Sequence, residues 1–245
     1  MRVIVMGEYG CFPGRGGACS GYLVQAGGLN VLVDAGSGVM SRLQNYIQID
    51  ELDAVLLTHL HFDHCGDLAL LRYARESLIS LGRSMRPLPL FLPETPPEMV
   101  SFLLAGQMFE PVFTHDGLNA QKGPLSFTFT RMPHSIESYA ITIHAPGGKK
   151  IVFSGDTTGS PRLAEAASGA DLFVCEATTS GLNETAATGP HLNGRLAAQT
   201  ALRAGVKQLC LTHFWFESSQ PDTLTAAQQI YPAAFLAKSG LEIDL

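Results

Sequence analysis

The sequence predicts an α/β fold in which sheets are covered by helices. Three observations predict it. Short β-branched runs are separated by Gly-rich turns, helical stretches open on Ser, Asp or Pro at cap or first-turn positions, and the order is hairpins first, then strand alternating with helix. Strands are expected at Arg2–Gly7, Ser20–Gln25, Val31–Asp34, Ala54–Thr58, Leu88–Leu92, Leu125–Arg131, Tyr139–His144, Lys150–Ser154, Leu172–Cys175 and Gln208–Thr212, with Phe235 and Ile243 marking short strands near the end. So many strands exclude a helical bundle. Helices are expected at Gly38–Tyr46, His64–Leu81, Pro96–Ala105, Pro161–Ala167, Asn193–Ala204 and Pro221–Tyr231. The Pro-rich stretch Pro87–Pro97 reads as an extended edge segment followed by a helix start.

The chain has 245 residues, 46% hydrophobic and 16% charged, which excludes disorder as the dominant state. No low-complexity linker interrupts it, so one domain over 1–245 is expected. Sixteen Lys+Arg against 22 Asp+Glu give a net charge of −6, the wrong balance for holding nucleic acid by bulk charge. The start runs directly into a strand pattern without a basic segment and an apolar one behind it, and no apolar run reaches the roughly 20 residues of a spanning helix. A soluble, cytoplasmic protein without a membrane partner is expected. The 5 cysteines, Cys11, Cys19, Cys65, Cys175 and Cys210, are scattered with no CxxC pair, which argues against a disulfide framework and a thiolate metal site.

The strongest chemical signal is His59-Leu-His61-Phe-Asp63-His64, three imidazoles and a carboxylate between a buried strand and a helix. Zinc takes about four N or O ligands near 2.0–2.2 Å, and a turn at a strand end can aim alternate side chains inward at that range. His134, Asp156 and His213 each follow a predicted strand in the same way. Asp53-Ala-Val-Leu-Leu-Thr-His59 is echoed by Lys207-Gln-Leu-Cys-Leu-Thr-His213, which predicts two related halves whose strand ends meet at one edge.

With Leu32-Val-Asp-Ala-Gly36, the His-x-His-x-Asp-His signature, a later His, a Gly-Asp-Thr and a final Thr-His in this order, nearly the whole chain resembles the metallo-β-lactamase superfamily. The resemblance implies a four-layer αβ/βα sandwich of two mixed sheets covered by helices, with a two-metal site where the sheets meet. It implies that His59, His61 and His134 hold one Zn²⁺, that Asp63, His64 and His213 hold the other, and that Asp156 bridges them; Mn²⁺ or Fe²⁺ are alternative occupants. It implies that two such ions, about 3.5–4 Å apart, would activate a shared water, with a bridging hydroxide expected as the nucleophile on phosphorus and the ions expected to clamp the displaced phosphate.

Val174-Cys-Glu-Ala-Thr178 and Gly189-Pro-His-Leu-Asn-Gly194 resemble elements of the ribonuclease Z branch, with Cys175 in place of that branch's histidine. The resemblance makes His191 the general acid, Glu176 the residue that orients it, and Asp63 a third member of the catalytic set. The chain departs from the tRNA-processing members: 157–171 is a short connection where they insert a long basic arm, and Phe214-Trp-Phe-Glu-Ser218 replaces their basic continuation. A small phosphodiester, such as a cyclic nucleotide or related cyclic phosphate, is therefore the expected substrate, and long nucleic acid is not. The alternatives are a carbon-ester hydrolase (lactonase or thioesterase) on the same metals, a tRNA 3′-processing endonuclease, or a binding protein that keeps metal for stability. A homodimer is expected from the resemblance.

The Gly-rich stretch Gly7–Gly17 lacks a phosphate-loop ending and reads as a hairpin loop near the site mouth, with Arg15 an ordinary loop residue or a phosphate contact. Phe214, Trp215 and Phe216 are expected to stack a base, pack in the core or form a dimer contact. Ser135 and Ser138 are expected to bond a substrate oxygen or the local turn, Asp34 to support a metal-bound histidine, and His115 and His144 to be bystanders.

Overall fold

Consecutive residues of the first strand, β1 (Arg2–Gly7), serve two different cores. Val3 and Val5 belong to one apolar cluster, Ile4 and Met6 to another, and all four are buried. A strand covered on both faces must be apolar at every position, which is why these strands read as continuous runs. The computed structural model describes residues 1–83, 85–182 and 189–245.

The first sheet contains β1, β2 (Gly21–Ala26), β3 (Leu29–Val33), β4 (Ala54–Leu56), β5 (Leu88–Leu92) and β6 (Phe109–Phe113). The second contains β7 (Asn119–Lys122), β8 (Leu125–Met132), β9 (Ser138–Ala145), β10 (Lys149–Phe153), β11 (Leu172–Glu176), β12 (Leu209–Thr212) and β13 (Ala234–Leu236). β14 (Glu242–Asp244) returns to pair with β1, giving seven strands in each sheet. The sheets face each other across a core that includes Tyr22, Val33, Phe91, Phe127, Phe129 and Ile141. Helices α1 (Val39–Leu43), α3 (Leu68–Ser80) and α4 (Pro97–Leu104) pack on the outside of the first sheet; α5 (Pro161–Ala167), α6 (Gly194–Ala204) and α7 (Gln220–Gln228) cover the second. These are the four αβ/βα layers that the resemblance implies.

Each sheet starts antiparallel and turns parallel. The switch falls at β3–β4 in the first and at β10–β11 in the second. The two halves are thus related in topology, as the echo suggests, but the echoed strands are not equivalent: β4 occupies the place that β11 holds, and β12 lies one strand further.

Other local differences have clear causes. The helix expected at His64–Leu81 breaks into a single turn, α2 (Phe62–Cys65), and α3, because the His64 carbonyl and the Asp67 N–H both bond Ala35. The Asp67 carboxylate also accepts the Met40 N–H at 2.8 Å. The helix expected at Gly38–Tyr46 keeps only α1 and ends in tight turns at Asn45 and Tyr46. β5 is an inner strand, not an edge; its Pro89 precedes the rungs with β4, which begin at Leu90, so no bond of that ladder is lost. The edge strands are β14 and β6 in the first sheet and β13 and β7 in the second; β6, which carries Pro111, and the polar β7 lack the continuous apolar run of an inner strand.

Phe127 is fully buried between the sheets beside Phe91, at a ring separation of 5.6 Å. Phe127→Ala is expected to destabilise the chain by about 3–5 kcal/mol, read as a lower denaturation midpoint at unchanged slope.

Candidate metal centre

The motif residues sit where strands of both sheets end. His59 follows β4, with His61 capping α2 and Asp63 and His64 inside it, while His134, Asp156 and His213 follow β8, β10 and β12. All are drawn together at one edge of the sandwich.

His59 Nε2, His61 Nδ1 and His134 Nε2 converge, at 3.0 Å between the first two and 3.3 Å between the last two. Asp156 Oδ2 lies 3.5 Å from His59 Nε2 and 3.8 Å from His134 Nε2. On the other side, His213 Nε2 is 3.2 Å from Asp63 Oδ2 and 3.3 Å from Asp156 Oδ2, and His64 Nε2 is 3.3 Å from Asp156 Oδ1. Asp156 therefore reaches both groups with its two oxygens. Each group can hold a metal ion.

The donor set fits a pair of divalent ions. Burial, reinforced by His64, holds the His59 imidazole well below its usual range; burial also lowers His61, and brings His134 to about 4. Neutral rings present lone pairs, the form a metal binds. Burial alone would favour the protonated acid of Asp63 and of Asp156, yet the neighbouring histidines hold both carboxyls below the usual range. His64 Nε2 is buried and has no hydrogen-bond partner, although it points at these carboxylates. No Lys or Arg pairs with either carboxylate among the described residues. Burial disfavours a charged His64, but Asp156, Asp34 and Asp63 outweigh it and raise its pKa well above the ordinary value. The centre is built to receive positive charge.

Two carboxylate–threonine–imidazole chains fix the rings. Thr58 donates its hydroxyl to Asp34 at 2.9 Å and accepts from His59 Nδ1 at 3.0 Å, while His64 Nδ1 donates to Asp34 at 2.7 Å. Thr178 likewise donates to Glu176 at 2.9 Å and accepts from His213 Nδ1 at 3.0 Å. Each Nδ1–H is thereby engaged and each Nε2 is left facing the centre. Asp34 and His213 both adopt left-handed backbone, φ 57° and 60°, where glycine would sit without strain. Keeping side chains there indicates that the side chains are used. Asp34→Asn is expected to lower metal affinity about 10–100-fold, checked by competition with a chromophoric chelator.

Glu176 is fully buried, and burial raises its pKa. It accepts from the Thr157 N–H at 2.6 Å and from His191 Nδ1 at 3.1 Å. Burial lowers the His191 pKa, but the bond to Glu176 and the Asp156 charge overcome this and raise it. A cavity of about 380 Å³ opens beside these groups, lined also by Gly10, Cys11, Phe62 and Trp215. The Gly7–Gly17 loop does reach the site mouth: the Cys11 N–H donates to Asp63, and a Cβ on Gly10 would come within 2.4 Å of the His213 ring. A larger cavity near the opposite ends of β4–β6, about 900 Å³ and lined by residues including Asp53 and Arg75, shares no residue with the site.

The sequence matches the beta-lactamase superfamily domain over residues 29–214. It is also 32% identical over 213 residues to the probable metallo-hydrolase YhfI of Bacillus subtilis, covering 87% of this chain and 86% of that one. This chain belongs to the β-lactamase superfamily. The crystal structure of YhfI from Bacillus subtilis, a metallo-beta-lactamase fold protein, matches with a TM-score of 0.89 at 28% identity, covering 99% of both chains. Ribonuclease Z of Brevibacillus brevis is 51% identical over 98 residues, 37% of this chain and 31% of that one. The short form of human tRNase Z shares the fold, with a TM-score of 0.77 at 21% identity over 100% of this chain and 99% of that one.

Within this superfamily member the structure brings together every ligand candidate, along with His191 and Glu176. It separates others. Ser138 is buried and donates to the Asp156 carbonyl at 2.9 Å, so it holds that residue's backbone rather than facing the cavity. Phe214 is fully buried in the core under the second sheet, apart from its two aromatic neighbours. Arg15, Ser135, His115 and His144 are exposed. Cys175 and Cys210 are buried, and burial raises both thiols, which keeps them out of the ligand set. Sequence reading missed Thr58 and Thr178 as orienting groups, although each lies one or two residues from a singled-out His or Glu.

Proposed function

We propose that this chain is a metal-dependent hydrolase of a small phosphodiester, a cyclic nucleotide or related cyclic phosphate. His59, His61, His134 and Asp156 would hold one ion and Asp63, His64, His213 and Asp156 the other, with Zn²⁺ the expected metal and Mn²⁺ or Fe²⁺ able to replace it. Bound there, two divalent ions polarise a phosphoryl oxygen and make water nucleophilic at neutral pH.

The observation that carries the reading is the His191–Glu176 pair at 3.1 Å beside the ligand cluster. An alkoxide leaving from phosphorus is a poor leaving group and needs a proton. With Nδ1 bonded to Glu176, His191 holds a transferable proton at Nε2, and Glu176 stabilises the charged ring while fixing its direction. Thr157 N–H and Thr178 hydroxyl hold Glu176 in turn. A carbonyl substrate does not require this pair. The relatives named metallo-hydrolase and ribonuclease Z support hydrolysis and phosphodiester chemistry. Against a tRNA substrate stand the net charge of −6 and the short link between β10 and α5, residues 154–160.

The test is a panel of cyclic nucleotides, linear diesters, lactones, thioesters and a 3′-extended tRNA precursor, assayed with Zn²⁺ and with Mn²⁺. Cyclic phosphates are expected to give the highest kcat/KM. Faster cleavage of the precursor, a lactone or a thioester overturns the reading.

A further inference from the structure

The chain turns sharply after His213, burying Phe214 and sending the next two aromatic residues outward. Phe216 is 41% exposed, and Phe12, from the loop between β1 and β2, is 44% exposed. The rings of Phe12 and Phe216 meet at 4.4 Å, that of Trp215 lies 5.2 Å from Phe216, and Phe12 stands edge-on to Trp215 at 6.1 Å and 68°. Trp215 lines the cavity beside the ligand cluster, as does Phe62, which is 70% exposed although it sits between His61 and Asp63. Aromatic rings left in water beside a chemical site are placed for a ligand rather than for the core.

We propose that Trp215, buttressed by Phe12 and Phe216, forms a stacking subsite for the nucleobase of a cyclic mononucleotide. The inference rests on the phosphodiester reading and names the part of the substrate that lies away from phosphorus. No Lys or Arg lines this cavity among the described residues, so there a substrate's negative charge is met at the ligand cluster and His191, and the large side chains of the remaining lining are the rings of Phe62 and Trp215. A volume of about 380 Å³ is of the size that takes a mononucleotide. Stacking on an aromatic face tolerates every base, so purine and pyrimidine nucleotides both bind, purines more tightly for their larger ring.

Trp215 is the only tryptophan of the chain and reports directly on its own face. Titrating adenosine 5′-monophosphate into the metal-loaded protein is expected to quench tryptophan fluorescence saturably, whereas ribose 5-phosphate does not. Phe12→Ala, which keeps the reporter, is expected to weaken the quench constant about 10-fold. The ratio of kcat/KM for adenosine 3′,5′-cyclic phosphate to that for the matching base-free ribose cyclic phosphate is expected to fall about 10–100-fold in Trp215→Ala and to recover in Trp215→Tyr. Equal quenching by the two monophosphates, or a ratio that is the same in wild type and Trp215→Ala, overturns the subsite. If the wild type hydrolyses neither cyclic phosphate, the phosphodiester reading falls, and the quench still decides the subsite.

Discussion

Asp156→Asn is expected to abolish turnover, by at least about 10³-fold, and to bring bound metal below one ion per chain. Asp156 is the one ligand candidate whose two oxygens face both groups, Oδ1 toward His64 and Oδ2 toward His59, His134 and His213. Asn keeps the shape and removes the charge, leaving Asp63 as the remaining ligand carboxylate. The loss of several kcal/mol of charge stabilisation at the reacting phosphoryl group corresponds to three decades or more, at about 1.4 kcal/mol per decade. Because the inter-sheet core is untouched, the variant is expected to keep the far-ultraviolet spectrum of the wild type. Full metal content with wild-type turnover would remove Asp156 from the centre.

His191→Ala is expected to act differently. Metal content stays near the wild-type value, since both ligand groups are complete without His191. Turnover of a diester with an alkoxide leaving group falls about 10²–10⁴-fold. Turnover of bis(p-nitrophenyl) phosphate falls far less, because nitrophenolate departs without a proton. Glu176→Gln is expected to show the same selectivity more mildly, since it removes the charge that holds His191 but not the ring itself. Equal losses on both diesters would take the acid role from His191. His191 also approaches Asp156, at 3.7 Å, and forms a further possible ligand group with Asp156 and His213. Its loss of metal together with activity would identify it as a ligand instead.

The ligand candidates were legible in the sequence because each is a chemically distinctive side chain at, or within a turn of, the end of an apolar strand. His59 and His213 even share a Leu-Thr-His context. The supports were harder to see. Thr58 and Thr178 act through single hydroxyls that each link a nearby residue to a distant one: Thr58 joins His59 to Asp34 after β3, and Thr178 joins Glu176 to His213 after β12, and no local spacing reveals the distant partner. Gly10 matters only because the His213 ring fills the space where its Cβ would be, a contact across most of the chain. In the fold, doubly covered strands such as β1 and β11 were plain, whereas β6 and β7 were hidden by Pro111 and by polar composition suited to sheet edges. The break between α2 and α3 was invisible for a related reason. It is imposed by Ala35, whose backbone takes up the groups that a continuous helix would have paired internally. Phe214, Trp215 and Phe216 read as one cluster, yet the backbone sends Phe214 to the core and leaves Trp215 at the cavity.

The formal charge of −6 also takes on a different meaning once the site is assembled. Asp63 and Asp156 are buried among imidazoles and face the place where cations are expected, so they do not repel an incoming anion from the surface.

Metal analysis of the purified protein, paired with a diesterase assay before and after chelation, tests the central claim most directly. Close to two transition-metal ions per chain are expected, with hydrolysis of small diesters lost on chelation and restored by Zn²⁺ or Mn²⁺. Undiminished hydrolysis by protein carrying far less than one ion per chain would contradict the account.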